Sequence, residues 1–237
     1  MLPDKGVPSS DIYVFMAMKK FFKFVLHPTE NLQNRGWSVW AIFTFVYILY
    51  SVCSNIIIYY LFSEFNSNVP LKTGEIDDIH ISILLLLPPI LEEAGFRLCL
   101  IRHRPYIFIS LCVIMFLLLS KFVFGVVYSL ESLIARIAIA LTLGTLLFFM
   151  TKRTLSTIKF PTYFYTLVLL FSLLHCFNYK LSDVSSLGEY IYILSYGLIK
   201  IPSSIILGYI RLSNGFVPVV CSHILHNAPT VILRHLV

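Results

Sequence analysis

The sequence ISILLLLPPILEEAGFRLCLI occupies residues Ile81 to Ile101. Its length suits a membrane-spanning helix, which needs about 20 apolar residues. Glu92, Glu93 and Arg97 nevertheless lie inside the apolar run, and each charge near the centre of a bilayer costs roughly 2.5–3.5 kcal/mol. Charges this costly face a protein interior or a wet cavity, so the stretch predicts a functional site within the membrane. The alternative is a structural ion pair that locks two helices together, which explains one Glu and the Arg but not easily the second Glu.

Helical spacing separates the three charges. Glu93 and Arg97 are four residues apart with the acid first, which is the favourable order for a same-face ion pair. Glu92 is rotated by about 100° from Glu93 and is the poorer partner for Arg97. We therefore expect Arg97 to neutralise Glu93 and to leave Glu92 available as a general base. Pro88 and Pro89 predict a kink just upstream, of the kind that membrane helices tolerate beside a cavity.

The composition excludes several classes of protein. The chain has 237 residues, of which 58% are hydrophobic and 13% are charged, and its mean hydropathy is +0.84. A soluble domain carries about 25% charged residues, so we expect an integral membrane protein with one helical domain. The net charge of +6 does not predict a nucleic-acid partner, because the basic residues fall in short loops between apolar runs. The five cysteines lie in five different apolar segments, which argues against a disulfide framework or a zinc ribbon.

The predicted fold class is all-α, a polytopic transmembrane helical bundle with about seven spans and an N-terminal amphipathic helix. Residues 1–36 form an N-terminal cytoplasmic segment, in which residues 11–27 predict an amphipathic helix on the membrane surface; a partly inserted helix is the alternative. Residues 37–237 form the transmembrane domain. The predicted spans are approximately 37–62, 81–101, 106–128, 132–150, 162–179, 188–210 and 216–234.

The distribution of basic residues predicts the orientation. Eleven lysines and arginines fall on the side of the membrane that contains the N-terminus, and four fall on the other side. Because cytoplasmic loops carry the excess of Lys and Arg, the N-terminus is expected in the cytoplasm and the C-terminus outside. The expected location is a bacterial inner (cytoplasmic) membrane, with the lipid bilayer as a partner.

Two later spans carry polar residues at helical spacing. His175 follows Phe171 by four residues, so the two side chains share a helix face; a lone histidine here is more often a hydrogen-bonding residue between helices. His223 and Asn227 are also four residues apart, and His226 lies beside them. Helix packing would explain one of these groups, but it explains two histidines and an amide within one turn less well.

The depth of these residues offers a geometric check. Glu92 lies about ten residues from the cytoplasmic end of its span, and His223 and Asn227 lie about eight to twelve residues from the same end of theirs. His175 is predicted to lie deeper, near the outer end of its span. Helix tilt or shifted boundaries would bring it level with the others.

Three motifs stand in order on separate predicted spans: EEAGFR at Glu92–Arg97, FSLLH at Phe171–His175 and HILHN at His223–Asn227. They match the pattern EExxxR, FxxxH and HxxxN. The sequence therefore resembles the CAAX prenyl protease and bacteriocin-processing family of intramembrane proteases, also called the Abi family. The resemblance covers about residues 81–230, and although each motif is weak by itself, the ordered set in a polytopic protein is specific.

The resemblance implies a catalytic set and a substrate class. Glu92 would activate the attacking water, Glu93 and Arg97 would support it, and His175 would position Glu92 or the water. Asn227 would donate to the oxyanion of the tetrahedral intermediate. The substrate would be a membrane-associated peptide or protein, such as a prenylated C-terminus, a leader or pheromone peptide, or a membrane protein. The complete implied set is Glu92, Glu93, Arg97, His175, His223 and Asn227.

A zinc-dependent mechanism is the first alternative, because the family has also been described as metalloproteases. Glu92, His175 and His223 are permissible zinc ligands, and three ligands plus water make a catalytic zinc site. No H-E-x-x-H motif is present, and the amide of Asn227 is a poor zinc ligand. The metal-free glutamate mechanism is therefore favoured, with no cofactor expected.

A non-catalytic membrane protein is the second alternative, for example an immunity factor or a scaffold that keeps the polar cluster for stability. Glu92 beside Glu93 argues against it, because a scaffold has little use for a second, unpaired carboxylate.

Overall fold

A computed structural model describes residues 10–30, 32, 36–63, 81–125 and 132–236 of the chain. In these ranges the protein is all-helical and contains no strand. Two short 3-10 turns, Leu98–Leu100 and Leu181–Asp183, interrupt the chain of α-helices. The α-helices are α1 Ser10–Leu26, α2 Trp37–Leu61, α3 Ile81–Phe96, α4 Arg104–Phe122, α5 Leu133–Thr157, α6 Phe160–Cys176, α7 Leu187–Leu198, α8 Lys200–Asn214 and α9 Phe216–Leu236.

Four helical stretches among the described residues are long and apolar enough to cross a membrane, judged by length and composition. They are α2, α4, residues Leu133–Leu155 of α5, and α7 with α8 taken together. Helix α6 is apolar but shorter. The expectation of an all-helical membrane protein is thus met at this level, and the count of seven spans stays a prediction. The end of the predicted span 106–128 and residues 1–9 of the N-terminal segment lie outside the described residues.

The predicted span 81–101 is not one helix. Helix α3 continues through Pro88 and Pro89 but ends at Phe96, and the 3-10 turn Leu98–Leu100 follows. The backbone N–H of Arg97 still donates to the Glu93 carbonyl at 2.9 Å, whereas the next hydrogen bond joins Leu100 to Arg97 with 3-10 spacing. The chain therefore leaves the helix in the middle of the bundle, directly after the charged motif.

The predicted span 188–210 consists of two helices that meet at Ile199. Pro202 has no N–H with which to bond the Leu198 carbonyl, so the helical ladder is interrupted here. Ile199 itself keeps a helical backbone conformation, with φ −65° and ψ −14°. The Tyr50 hydroxyl donates to the Ile199 carbonyl at 2.9 Å, so a side chain of α2 satisfies a backbone group at the junction.

Helix α1 packs one aromatic face against the bundle. Phe21 and Phe24 are buried, and each ring centre lies 5.2 Å from that of Tyr209 on α8. Lys19 and Lys20 are exposed on its other side. Phe15, Phe22 and Leu26 are exposed as well, so the amphipathic surface helix predicted for residues 11–27 stays a prediction, while the aromatic face of α1 belongs to the same apolar core as α2, α6 and α8.

The centre of the apolar core lies between α2, α6 and α8. Its most deeply buried members include Phe43, Phe164, Leu207 and Tyr209, each at most 1% exposed. Gly208 allows α6 to approach α8 closely, because a Cβ at this position would lie 2.7 Å from the Phe164 ring. This packing holds α6 and α8 on either side of the segment that follows α3.

Replacing Gly144 with Ala is expected to destabilise the protein by about 1–3 kcal/mol, the usual cost of overpacking. A Cβ at Gly144 would lie 2.7 Å from the Cα of Cys112, and this backbone atom cannot rotate away. Gly95→Ala is the matched control, since its Cβ would meet only side-chain atoms at 3.4 Å or more. Thermal unfolding in detergent measures both, and equal melting temperatures for the two variants would contradict the close approach of α4 and α5.

Candidate active site

Side chains from three helices meet inside the helical bundle. Glu92 and Glu93 lie in the last turn of α3. His175 lies near the end of α6, and His223 lies two turns after the start of α9. Arg97 follows directly after α3. The structure brings these five predicted side chains together, although 130 sequence positions separate Glu93 from His223.

Glu93 is the fully buried carboxylate of the site, with 0% exposure. Nδ1 of His223 lies 2.7 Å from its Oε1, within hydrogen-bond distance. Its Oε2 lies 3.5 Å from Nε of Arg97, so the ion pair predicted from the i, i+4 spacing is present. Arg97 and His223 thus supply the counter-charge and the hydrogen bond that a buried carboxylate needs.

Two further helices hold the Arg97 side chain. Its Nη2 donates to the Ser204 hydroxyl of α8 at 3.0 Å. Its guanidinium lies 3.8 Å from the centre of the Phe171 ring on α6, which is a cation–π contact. Arg97 is 2% exposed, so its charge is directed at Glu93 and not at solvent.

Glu92 faces both imidazoles without a direct hydrogen bond. Its Oε2 lies 3.7 Å from Nε2 of His223 and 3.9 Å from Nε2 of His175. Its side chain is 12% exposed, and no Lys or Arg of the described chain lies within 4 Å of it. These separations are too long for a hydrogen bond and suit groups that share one water molecule.

The hydrogen bonds of the two histidines determine the tautomer of each ring. The tautomer in turn determines whether the nitrogen that faces Glu92 is a donor or an acceptor. Nδ1 of His175 lies 2.8 Å from the Phe171 carbonyl, which can only accept, so Nδ1 carries the hydrogen. Nδ1 of His223 faces an acceptor oxygen of Glu93, whose other oxygen pairs with Arg97, so it also carries its hydrogen. In the neutral rings both Nε2 atoms are then acceptors. Three acceptors, two nitrogens and a carboxylate oxygen, converge on one position.

The irregular segment after α3 explains how His175 reaches Glu92 despite its predicted depth. Successive contacts join Arg97 to Phe171, Tyr163 to the Cys99 carbonyl, and Arg102 to Phe160. The stretch of α6 from Phe160 to Phe171 is about 16 Å long at 1.5 Å per residue. The chain covers this distance in the five steps from Arg97 to Arg102. Its advance per residue is therefore roughly twice that of a helix. Glu92 is therefore deeper in the bundle than a continuous helix over 81–101 would place it.

The third motif is divided between two neighbours. His223 faces α3, whereas Nε2 of His226 lies 3.0 Å from the Ser51 hydroxyl and its ring packs 4.9 Å from that of Tyr47 on α2. Asn227 is half-buried one turn beyond His223, and no hydrogen bond joins its amide to another side chain in the described ranges. Asn227 is thus the one predicted site residue that has no hydrogen bond or ion pair to the other five among the described residues.

Helix α2 contributes a polar stripe that the motif analysis missed. Thr44, Tyr47, Ser51 and Ser54 are buried and recur every three or four residues. Thr44 shares a hydrogen bond of 2.7 Å with Ser222 of α9, and the Tyr47 ring stands edge-on to that of His223. The helical period of these polar residues was the available signal, since a polar stripe inside an apolar span marks a face that meets other polar groups.

Lys200 also lies near the site and was not assigned to it from sequence. It begins α8, one turn before Ser204, and its ammonium lies 5.0 Å from the centre of the Tyr196 ring. Its positive charge is close enough to influence Glu92 and His175. Glu92 thus has no contact ion pair with a Lys or Arg of the described residues, and Lys200 is a more distant cation on its side of the bundle.

The donor set is chemically suited to zinc, although its atoms lie slightly farther apart than the ligands of a bound metal. Glu92, His175 and His223 offer three lone pairs, and each imidazole donates through Nδ1 to an acceptor, the contact that usually orients zinc-binding histidines. Ligands of a tetrahedral zinc are about 3.3 Å apart, whereas Glu92 Oε2 lies 3.7 and 3.9 Å from the two nitrogens. No group of three or more His, Cys, Asp or Glu residues in the described part of the chain has a metal-binding arrangement.

Comparison with known protein families, with curated proteins and with solved structures finds no match to this chain.

Proposed function

We propose that this protein is an intramembrane endopeptidase of the CAAX protease-like (Abi) type, in which Glu92 activates water. The observation that supports it most directly is the convergence of Glu92 with Nε2 of His175 and of His223, at 3.9 and 3.7 Å. The resemblance of the three ordered motifs supports the reaction class. The test is whether membranes that contain the protein gain new peptide termini that are missing when Glu92 is replaced with Gln.

The proposed mechanism begins with a water molecule among the three acceptors. Water donates one hydrogen to Glu92 and the other to a histidine Nε2, which leaves an oxygen lone pair free to attack a peptide carbonyl. Glu92 takes the proton as the C–O bond forms. Glu93 and Arg97 do not touch the water; they fix the position and tautomer of His223 through its Nδ1.

Collapse of the tetrahedral intermediate needs a donor for the oxyanion and a proton for the leaving amine. The amide of Asn227, one turn from His223, is the proposed donor to the oxyanion. Glu92 then returns its proton to the amine nitrogen as the C–N bond breaks, which leaves a carboxylic acid, an amine and the carboxylate of Glu92. This sequence needs neither a nucleophilic serine nor a thiol.

We also propose the finer membrane architecture predicted from the sequence. It consists of seven crossings, with the N-terminus in the cytoplasm of a bacterial inner membrane. The exposed Phe15, Phe22 and Leu26 of α1 would lie in the membrane interface beside its lysines. The substrate would be a peptide or protein that reaches the site within the bilayer.

A zinc-dependent version of the same protease is the second candidate, favoured by the orientation of the two histidines. Glu92, His175 and His223 would hold the metal, and zinc would polarise the carbonyl and lower the pKa of its bound water. The lack of an H-E-x-x-H motif favours the metal-free form. We expect cleavage to continue at an unchanged rate after exhaustive chelation, with no stoichiometric zinc by elemental analysis. One tightly held zinc whose removal stops cleavage would reverse the choice.

A non-catalytic immunity factor or scaffold is the third candidate and requires no peptide cleavage. It predicts the same set of peptide termini in membranes with the parent protein and with the Glu92→Gln variant. The contact geometry favours the enzyme, since Glu92 makes no direct hydrogen bond that would stabilise a scaffold.

A further inference from the structure

A second feature of the structure is an apolar cavity of about 300 Å³ between α4 and α6. Along α6 it extends from Thr162 to Leu174, about 18 Å at 1.5 Å per residue. Leucine and isoleucine side chains form most of its walls. Thr166 and Leu170 line it and are themselves exposed, so the cavity opens on the outer surface of the bundle. Its length is close to the hydrocarbon thickness of one leaflet, about 15 Å.

One end of this cavity is basic. Nη1 of Arg102 donates to the carbonyls of Leu155 and Ile158, and both of these residues line the cavity. Exposed Lys159 follows Ile158 directly. Glu30 lies 3.5 Å from Nε of Arg102 and offsets one positive charge.

A second exposed cation, Arg104, lies at the same end. It precedes Ile107, another lining residue, by three positions and so shares its helix face. Glu30 offsets the charge of Arg102, so two exposed cations, Arg104 and Lys159, remain at the basic end.

Two helices also begin at this end. Neither α4 nor α6 has a side-chain cap at its N-terminus, and each has a proline in its first turn. The first N–H groups of a helix have no intrahelical partner, and the helix dipole makes this terminus positive. Backbone donors and cationic residues thus lie at the same end of the cavity, as they do at many phosphate sites.

We propose that this cavity binds one anionic phospholipid. A fatty acyl chain fills the space between α4 and α6, and the phosphate lies at Arg104, Lys159 and the two helix N-termini. A phospholipid has the two parts that the site requires, a hydrocarbon chain and an adjoining anion. The charge selects anionic over zwitterionic headgroups, because basic pockets between transmembrane helices bind anionic lipids. The proposal is independent of proteolysis, since the proposed reaction uses none of these residues.

The test is lipid binding to the full-length protein in detergent, measured by native mass spectrometry. Dioleoyl phosphatidylglycerol and dioleoyl phosphatidylcholine are compared, because they have identical chains and differ in charge. The parent protein is expected to retain the anionic lipid preferentially. Arg104→Gln combined with Lys159→Gln is expected to reduce this preference about tenfold. Equal retention of both lipids by the parent protein would overturn the proposal.

Two further variants separate the headgroup from the chain. Lys19→Gln with Lys20→Gln removes two exposed charges from α1 and is expected to leave the preference unchanged. Thr166→Trp fills the mouth of the cavity at an exposed position, so it is expected to reduce retention of both lipids. An effect of the α1 variant as large as that of Arg104→Gln with Lys159→Gln would show non-specific attraction. Unchanged retention in Thr166→Trp would show that the chain does not enter the cavity.

Discussion

Replacement of Glu92 with Gln is expected to reduce peptide cleavage by at least about 100-fold, the lower range for loss of a general base. Gln has nearly the shape of Glu, and Glu92 makes no direct hydrogen bond to either histidine, so the fold should be retained. The amide cannot take a proton from water at neutral pH. Quantitative analysis of new protein termini in membranes, with the parent or the variant protein expressed at equal levels, measures the effect.

Asp183→Asn is the matched control for this prediction. Asp183 is an exposed acid in the second 3-10 turn, and the same change of carboxylate to amide there should leave every cleavage product in place. Full cleavage by the Glu92→Gln variant would end the proposal that Glu92 is the base. Loss of cleavage in both variants would show that the effect follows from removing any carboxylate charge and is not specific to Glu92.

Replacement of Arg97 with Met is expected to destabilise the protein by about 3–5 kcal/mol, the cost of leaving a buried charge without its partner. Met preserves much of the length of the side chain and removes the guanidinium. Glu93 would keep its contact with His223 but lose its ion pair. The Phe171 ring and the Ser204 hydroxyl would lose their contacts with the cation. Reversible unfolding in mixed micelles measures the free energy of unfolding.

A second substitution distinguishes loss of charge pairing from loss of packing. Glu93→Gln combined with Arg97→Met removes both charges, so the double variant should recover part of the stability that Arg97→Met loses. Lys20→Met, which removes an exposed cation from α1, should have almost no effect. The contrary outcome is additivity. If the loss in free energy of unfolding of the double variant equalled the sum of the losses of Arg97→Met and Glu93→Gln alone, the two side chains would not be coupled.

Local spacing was sufficient to predict the contacts that lie within one helix. Glu93 pairs with Arg97 because an i, i+4 separation places both on one face, whatever surrounds the helix. His175 lies against Phe171 for the same reason. The polar stripe of α2 was equally periodic, and it was missed because each hydroxyl is too weakly polar to interrupt an apolar span.

The amino-acid sequence by itself determined that the protein is helical and apolar, and it predicted that the acidic pair faces a protein interior. A charge near the centre of a bilayer costs roughly 2.5–3.5 kcal/mol, which disfavours any position that faces lipid. Only the tertiary structure decided that α3 ends at Phe96 and that Glu92 lies level with His175. It also decided which carboxylate contacts His223 through Nδ1, because that choice depends on the rotation and depth of helices that are distant in the chain.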